Sequence, residues 1–137
     1  MAKVAFRLVM PEREVLATQA DMVVVPGSEG DFGVLPGHAP LISTVRPGVL
    51  EVFQGTKADR RFLVAGGFAE VTPQRCTVLA DEAIPFEDVS ADQLFERERT
   101  AEREVADATD AAARATAEKN LAIAKDLRRA QAYYATR

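Results

Sequence analysis

Few side chains in this 137-residue sequence are equipped for covalent or metal chemistry. There is one histidine, His38, and one cysteine, Cys76. A Ser-His-Asp relay would have to use His38, which sits in Pro36-Gly37-His38-Ala39-Pro40, and no Gly-x-Ser-x-Gly elbow accompanies it. Single copies exclude a histidine-rich metal site, a cysteine-based zinc site and a disulfide framework. Cys76 lies in Arg75–Leu79, where alternation predicts a buried strand position and the role of a small core hydrophobe. His38 reads as a loop residue fixed by a backbone hydrogen bond. The run Gly27-Ser28-Glu29-Gly30-Asp31-Phe32-Gly33 is Gly-rich but lacks the Gly-Lys-Ser/Thr of a phosphate cradle, and its two acids would repel phosphate. It also lacks the ligand spacing of a helix–loop–helix calcium site. It reads as a tight loop whose glycines supply positive φ. No catalytic residue, metal site or resident cofactor is expected.

The elements around these residues divide by composition. All 8 Gly lie at or before Gly67 and all 7 Pro at or before Pro85. Val, Ile, Leu, Met and Phe number 30 in residues 1–84 but 8 in residues 85–137, so only the first part can bury a substantial core. We therefore divide the chain at 1–85 and 86–137. In the first part Lys3–Met10 alternates, with Val4, Phe6 and Leu8 on one face. Val23–Val25, Val49–Phe53, Phe62–Val64, Phe68–Val71 and Thr77–Leu79 follow as further strands. Between them stand the turn signals Pro26-Gly27, Pro36-Gly37, Pro47-Gly48, Gln54-Gly55, Gly66-Gly67 and Pro73. Short strands with no helical segment between them predict an antiparallel β-sandwich or barrel.

Residues 86–137 have helix-forming composition and predict a C-terminal α-helical hairpin. Ser90-Ala91-Asp92-Gln93 fits a capping box, in which the Ser hydroxyl and the Gln side chain each satisfy a free amide. Leu94, Ala101, Val105 and Ala108 recur at helical spacing, as do Ile123, Leu127, Ala130 and Tyr134. Asp110 and Arg114 have the spacing of an i,i+4 ion pair. A turn near Ala106–Asp110, where Asp and Thr interrupt the Ala-rich pattern, gives two helices; the absence of Gly and Pro leaves one helix of about 45 residues as the alternative. Ordering a residue costs about 1–2 kcal/mol, whereas a buried Ala methyl returns only about 0.8 kcal/mol. An Ala-lined hairpin is thus weakly held. Composition leaves open whether it is permanently docked or able to detach.

Whole-chain properties narrow the function classes. A net charge of −4 disfavours nucleic acid as a partner. No apolar run has the length of a membrane span, and residues 1–14 carry charge every few positions, unlike a signal peptide. No transit-type segment precedes Ala2, which points to a bacterial source.

The run Val25–Leu41, through Pro26-Gly27-Ser28-Glu29-Gly30-Asp31-Phe32-Gly33-Val34-Leu35-Pro36-Gly37-His38-Ala39-Pro40, resembles the signature of the epsilon subunits of rotary F-type ATP synthases. Val45–Leu50, the Gly-Gly-aromatic stretch Val64–Val71 and Val78–Ala83 resemble three further family features. The resemblance implies a β-sandwich followed by a helical hairpin, in a non-catalytic rotor subunit of the central stalk. It implies the gamma subunit and the c ring as partners and a peripheral place on the cytoplasmic face of the bacterial inner membrane. By the same resemblance Glu29, Gly30, Asp31 and Phe32 meet the c ring, with Asp31 where a Glu is usual and Phe32 where a smaller aliphatic is usual. His38, Ala39, Pro40, Leu41 and Ile42 lie toward gamma. In many relatives the hairpin extends along gamma and blocks ATP hydrolysis, its basic residues meeting the alpha/beta hexamer; here Arg114, Lys119, Lys125, Arg128, Arg129 and Arg137 would serve, unless they form an ordinary solvated face. Some relatives bind ATP through an apolar-Asp-x-x-Arg-Ala motif. Asp126, Arg129 and Ala130 match it, Lys125 departs from it, and Asp126 and Arg129 also fit an i,i+3 ion pair. The other class left open is a free-standing module, sandwich plus helical arm, that senses a nucleotide or a protein.

Overall fold

A computed structural model describes residues 2–137. Ten strands are followed by two helices: β1 (Val4–Val9), β2 (Glu14–Ala20), β3 (Met22–Gly27), β4 (Gly30–Val34), β5 (Leu41–Thr44), β6 (Gly48–Gln54), β7 (Lys57–Ala65), β8 (Phe68–Val71), β9 (Arg75–Leu79), β10 (Glu82–Pro85), α1 (Ala91–Asp107) and α2 (Ala111–Tyr134). The strands form two five-stranded sheets, ordered β2-β1-β9-β8-β5 and β10-β7-β6-β3-β4. Every pairing is antiparallel except that of β1 with β9, which is parallel. That exception is topological: β9 reaches β1 only after the chain has built most of both sheets, so no hairpin sets its direction.

Alternation places Val4, Phe6 and Leu8 inward from the first sheet, against Val23, Val25, Leu50, Val52, Phe62 and Val64 of the second. Cys76 is fully buried in the same cluster, and burial pushes its thiol up to about 12. No helix residue belongs to this core. A second, smaller cluster lies on the outer face of the second sheet, where Val49, Leu63 and Ala65 pack against Leu94 of α1 and Leu127 of α2. Phe86, Val89, Ile123, Ala130 and Tyr134 complete it.

Several sequence expectations need correction. The stretch Gly27–Gly33 is not a loop: β3 and β4 pair in register from Val23↔Val34 to Gly27↔Gly30, leaving Ser28 and Glu29 as the turn. Of its three glycines only Gly30 has positive φ, 130°. Gly27 is needed instead for close approach, since a Cβ there would meet the Phe32 ring at 2.8 Å. β2, β5 and β10 were not read from the sequence, and β7 extends five residues before Phe62. The connection between helices falls at Ala108–Asp110, as the Asp/Thr interruption predicts. Asp110 does not pair with Arg114; its carboxylate caps α2, accepting from the Ala113 amide at 2.8 Å. The Ser90 hydroxyl accepts from the Gln93 amide at 3.2 Å, so the first half of the capping box forms.

Candidate functional site

The Pro-Gly-rich stretch from Pro26 to Pro47 brings two sheet edges together at one corner. β4 is the last strand of the second sheet and β5 the last of the first. Gly27 bridges to Val45, the Ser28 amide donates to the Thr44 carbonyl at 3.0 Å, and the Thr44 hydroxyl donates to Ser28 Oγ at 2.7 Å. Ser28–Phe32 and Leu41–Thr44 thereby line one groove of about 560 Å³. The two segments assigned to different partners by resemblance are neighbours in space.

Within this corner the residues differ in what they present. Glu29, Gly30 and Asp31 are exposed, whereas Phe32 turns inward and packs against the sandwich core. Phe32 thus supports the turn from inside while still lining the groove. Asp31 is held by Arg46, whose Nη2 donates to its carboxylate at 2.6 Å while Nη1 donates to the Gly27 carbonyl at 2.7 Å. Sequence reasoning did not single out Arg46, although it lies inside the family-like run Val45–Leu50. One guanidinium fixes both the acid and the strand end beside it, which is the fork geometry that arginine supplies and lysine does not.

His38 is a loop residue. Its Nδ1 lies 2.6 Å from the Ala39 carbonyl and its amide donates to Leu35 O at 3.1 Å. The loop is tied down by the Gly37 amide, which donates to Pro73 O at 2.8 Å. Ala39 and Pro40 are exposed, and Leu41 and Ile42 begin β5, Ile42 with 71% of its surface accessible. Ile42 lies opposite Glu70 on the outer face of the first sheet, and the neighbouring row on that face, which starts opposite Thr44, is apolar. Phe68 of β8 pairs with Leu79 of β9, which pairs in turn with Val9 of β1; Phe68 and Leu79 are exposed and Val9 half-buried. Among the described residues, α1 and α2 pack on the opposite outer face, that of the second sheet. An exposed apolar strip rimmed by Arg7, Glu70 and Thr77 has the character of a protein-contact surface.

Four of the five basic residues named on α2 share one face, and Lys119 stands apart from it. At about 100° per residue, Arg114, Lys125, Arg128 and Arg129 fall within about 100° of one another, while Lys119 stands about 140° from Arg114. Arg128 donates to Glu98 of α1 at 3.0 Å and lies 5.2 Å from the Phe95 ring; Arg129 pairs with Asp126 at 3.4 Å. Asp126, Arg129 and Ala130 line a second cleft of about 560 Å³ with Tyr133, Tyr134, Arg46 and Asp31. In it each arginine already faces a carboxylate, Arg46 with Asp31 and Arg129 with Asp126. Among the described residues no group of three or more potential metal ligands converges, and no helix is long and apolar enough to cross a membrane.

Comparison with known proteins defines the class first. Residues 3–86 match the family described as the β-sandwich domain of the ATP synthase delta/epsilon chain. The ATP synthase epsilon chain of Rhodospirillum rubrum is 51% identical over 122 residues, covering 89% of this chain and 91% of that one. The epsilon chain of Parvibaculum lavamentivorans is 47% identical over 126 residues, covering 92% and 96%. A chain in the cryo-EM structure of the Euglena gracilis mitochondrial ATP synthase (OSCP/F1/c-ring, rotational state 1) superimposes with a TM-score of 0.79 at 27% identity, covering 95% of this chain and 82% of that one. The chain belongs to the ATP synthase epsilon-chain family. Proteins of this family are accessory stalk subunits, and the catalytic sites of the synthase lie elsewhere.

Proposed function

We propose that this chain joins the gamma subunit to the c ring in the rotor of a proton-translocating F-type ATP synthase, at the cytoplasmic face of a bacterial inner membrane. The observation that carries this reading is the shared corner: the Glu29–Asp31 turn and the Leu41–Ile42 edge line one groove on a rigid sandwich. A coupling element must transmit torque between two partners, and adjacent sheet edges tied by main-chain hydrogen bonds do so without a flexible joint. Glu29, Gly30 and Asp31 face the polar loops of the ring. His38–Ile42, continued by Phe68 and Leu79, face gamma. The hairpin serves as a regulatory arm whose cations, foremost Arg114 and Lys125, which have no ion-pair partner among the described residues, meet acidic residues of the alpha/beta hexamer when it extends. Binding of ATP at Asp126 and Arg129 forms no part of this reading, because phosphates there would have to displace both carboxylates from their arginines.

The test is reconstitution of epsilon-depleted F1 and of the membrane sector. The full chain and residues 1–86 should both bind F1, and only the full chain should suppress ATP hydrolysis. Equal behaviour of the two would make the hairpin a structural appendage, and failure of both to bind would favour the free-standing module. Asp31→Arg should weaken assembly onto the ring. Combining it with Arg46→Asp restores the local ion pair, so assembly that stays weak in the double variant assigns the loss to the ring contact itself. Unchanged co-purification of Asp31→Arg with the membrane sector would refute that contact.

A further inference from the structure

The helical hairpin rests on the outer face of the second sheet through few large side chains. Leu94 and Leu127 are the only buried helix residues larger than alanine among those described. The other buried helix residues among those described are the alanines Ala101, Ala117 and Ala124. The end of α2 is fastened differently. Glu51 of β6 is the one buried charged residue among those described, 9% exposed, and it sits opposite Arg61 of β7 on the face beneath the hairpin. Arg61 Nε donates to Glu51 Oε2 at 2.9 Å. The same guanidinium lies 5.5 Å from the centre of the Tyr134 ring, and its Nη1 donates to the main-chain oxygen of Arg137 at 2.9 Å. Tyr134 itself packs into the apolar cluster of Val49, Leu63 and Leu127.

We propose that Glu51 and Arg61, with Tyr134 and Arg137 of the last turn of the hairpin, form a polar latch that holds the hairpin down while leaving it able to lift. The inference deepens the regulatory reading of the hairpin and rests on it for its purpose. Its physical basis is the modest net gain of a largely buried ion pair, Glu51 buried and Arg61 half-buried. Two charges taken from water recover their desolvation cost only through mutual attraction and added hydrogen bonds, so apolar residues of similar size commonly hold as well or better. Removing one partner is different in kind, because the remaining charge is then buried without compensation. Lifting the last turn of α2 returns Glu51 and Arg61 to water, still paired across their own strands. The closed state is therefore favoured by Tyr134, the Arg137 contact and a few aliphatic side chains, and not by the full strength of an ion pair.

The latch makes two predictions of opposite sign. Arg61→Ala strands Glu51 under the hairpin and raises the lifted fraction by about tenfold. Replacing both residues, Glu51→Leu with Arg61→Leu, lowers the lifted fraction below that of the unaltered chain. The measurement is the distance distribution between spin labels at Lys57 and Ala132 in the isolated full chain; both positions are exposed and neither belongs to the latch. Cys76, fully buried, stays unlabelled. If Arg61→Ala yields too little folded protein, Arg61→Gln is expected to move the distribution in the same direction. A distribution unmoved by either single variant, or the double and single variants moving it the same way, overturns the latch. Hydrolysis by F1 carrying these variants separates the two ideas. Distances that shift as predicted with unaltered inhibition uphold the latch and count against the inhibitory role; unmoved distances refute the latch even where the full chain inhibits.

Discussion

Arg97 reaches from α1 to β10 and grips Glu82 with both nitrogens, Nη1 to Oε1 at 2.7 Å and Nη2 to Oε2 at 2.9 Å. The Arg97 hydrogen bonds hold the Glu82 carboxyl below its ordinary value near 4.5, against the opposing effect of burial. A carboxyl that ionises more readily folded than unfolded adds stability that is complete above the unfolded value. That stability is lost as the pH falls from there through the lowered folded value. Both side chains are about two-fifths exposed, so the contribution is at most about 1 kcal/mol. We expect Arg97→Met to remove this part of the acid-side slope in stability measured from pH 6 to 3, leaving the neutral-side curve parallel to that of the unaltered chain. An unchanged acid-side slope would show that Glu82 does not sense Arg97. The pair was outside any sequence pattern, because 15 residues separate its members. Asp110 and Arg114 show the converse. Their spacing suggested a pair, but an Asp directly before a helix gains more by capping free amides than by reaching one turn forward.

At the scale of elements, the Gly66-Gly67 turn between β7 and β8 is the most constrained junction. Gly67 has φ of 90°, and a Cβ there would overlap the Leu79 carbonyl, a backbone group that cannot move aside. Gly67→Ala should cost about 3 kcal/mol of unfolding free energy. Gly37 provides the control: its φ of 86° is similar but no atom lies within 4 Å of a Cβ. Gly37→Ala should therefore cost only about 1 kcal/mol, the conformational penalty alone. Chemical denaturation of the two variants checks both, and equal costs would refute the clash. The strands that the sequence revealed were β1, β3, β6, β7, β8 and β9, all flanked on both sides in their sheets. The four that it hid or misread were β2, β4, β5 and β10, and these are the four sheet edges. An interior strand carries its own burial pattern in alternating apolar residues. An edge strand is half-solvated, often short, and defined mainly by the neighbour that it pairs with.

For the whole molecule, the separation of the two apolar clusters decides how the parts depend on each other. The main core is closed between the sheets without a helix residue among those described, and the apolar cluster under the hairpin draws only Val49, Leu63 and Ala65 from the strands. We expect residues 1–86 to keep the β-sandwich fold and unfold cooperatively. Exposing Val49 and Leu63 should lower their stability relative to the full chain by about 2–4 kcal/mol. Circular dichroism with urea unfolding reads both quantities, and an unfolded 1–86 fragment would show that the hairpin completes a single core. The candidate contacts follow the same geometry. Family-like residues marked Glu29–Phe32 and His38–Ile42, but nothing in their spacing indicated that two edges from different sheets would meet.

The sequence by itself determined the division into a Gly/Pro-punctuated β part and an Ala-rich helical part, the interior strands, and the burial of Cys76. Each follows from local pattern: turn residues, period-two alternation and helix propensity, all expressed within a few positions. Tertiary structure alone decided the edge strands, the parallel joining of β1 to β9, the hold of Arg46 on Asp31, and the placing of Glu51 and Arg61 beneath the last turn of α2. These depend on residues brought together from distant parts of the chain. Whether two such groups meet is settled by how the sheets close and the helices dock, which no short stretch of sequence encodes.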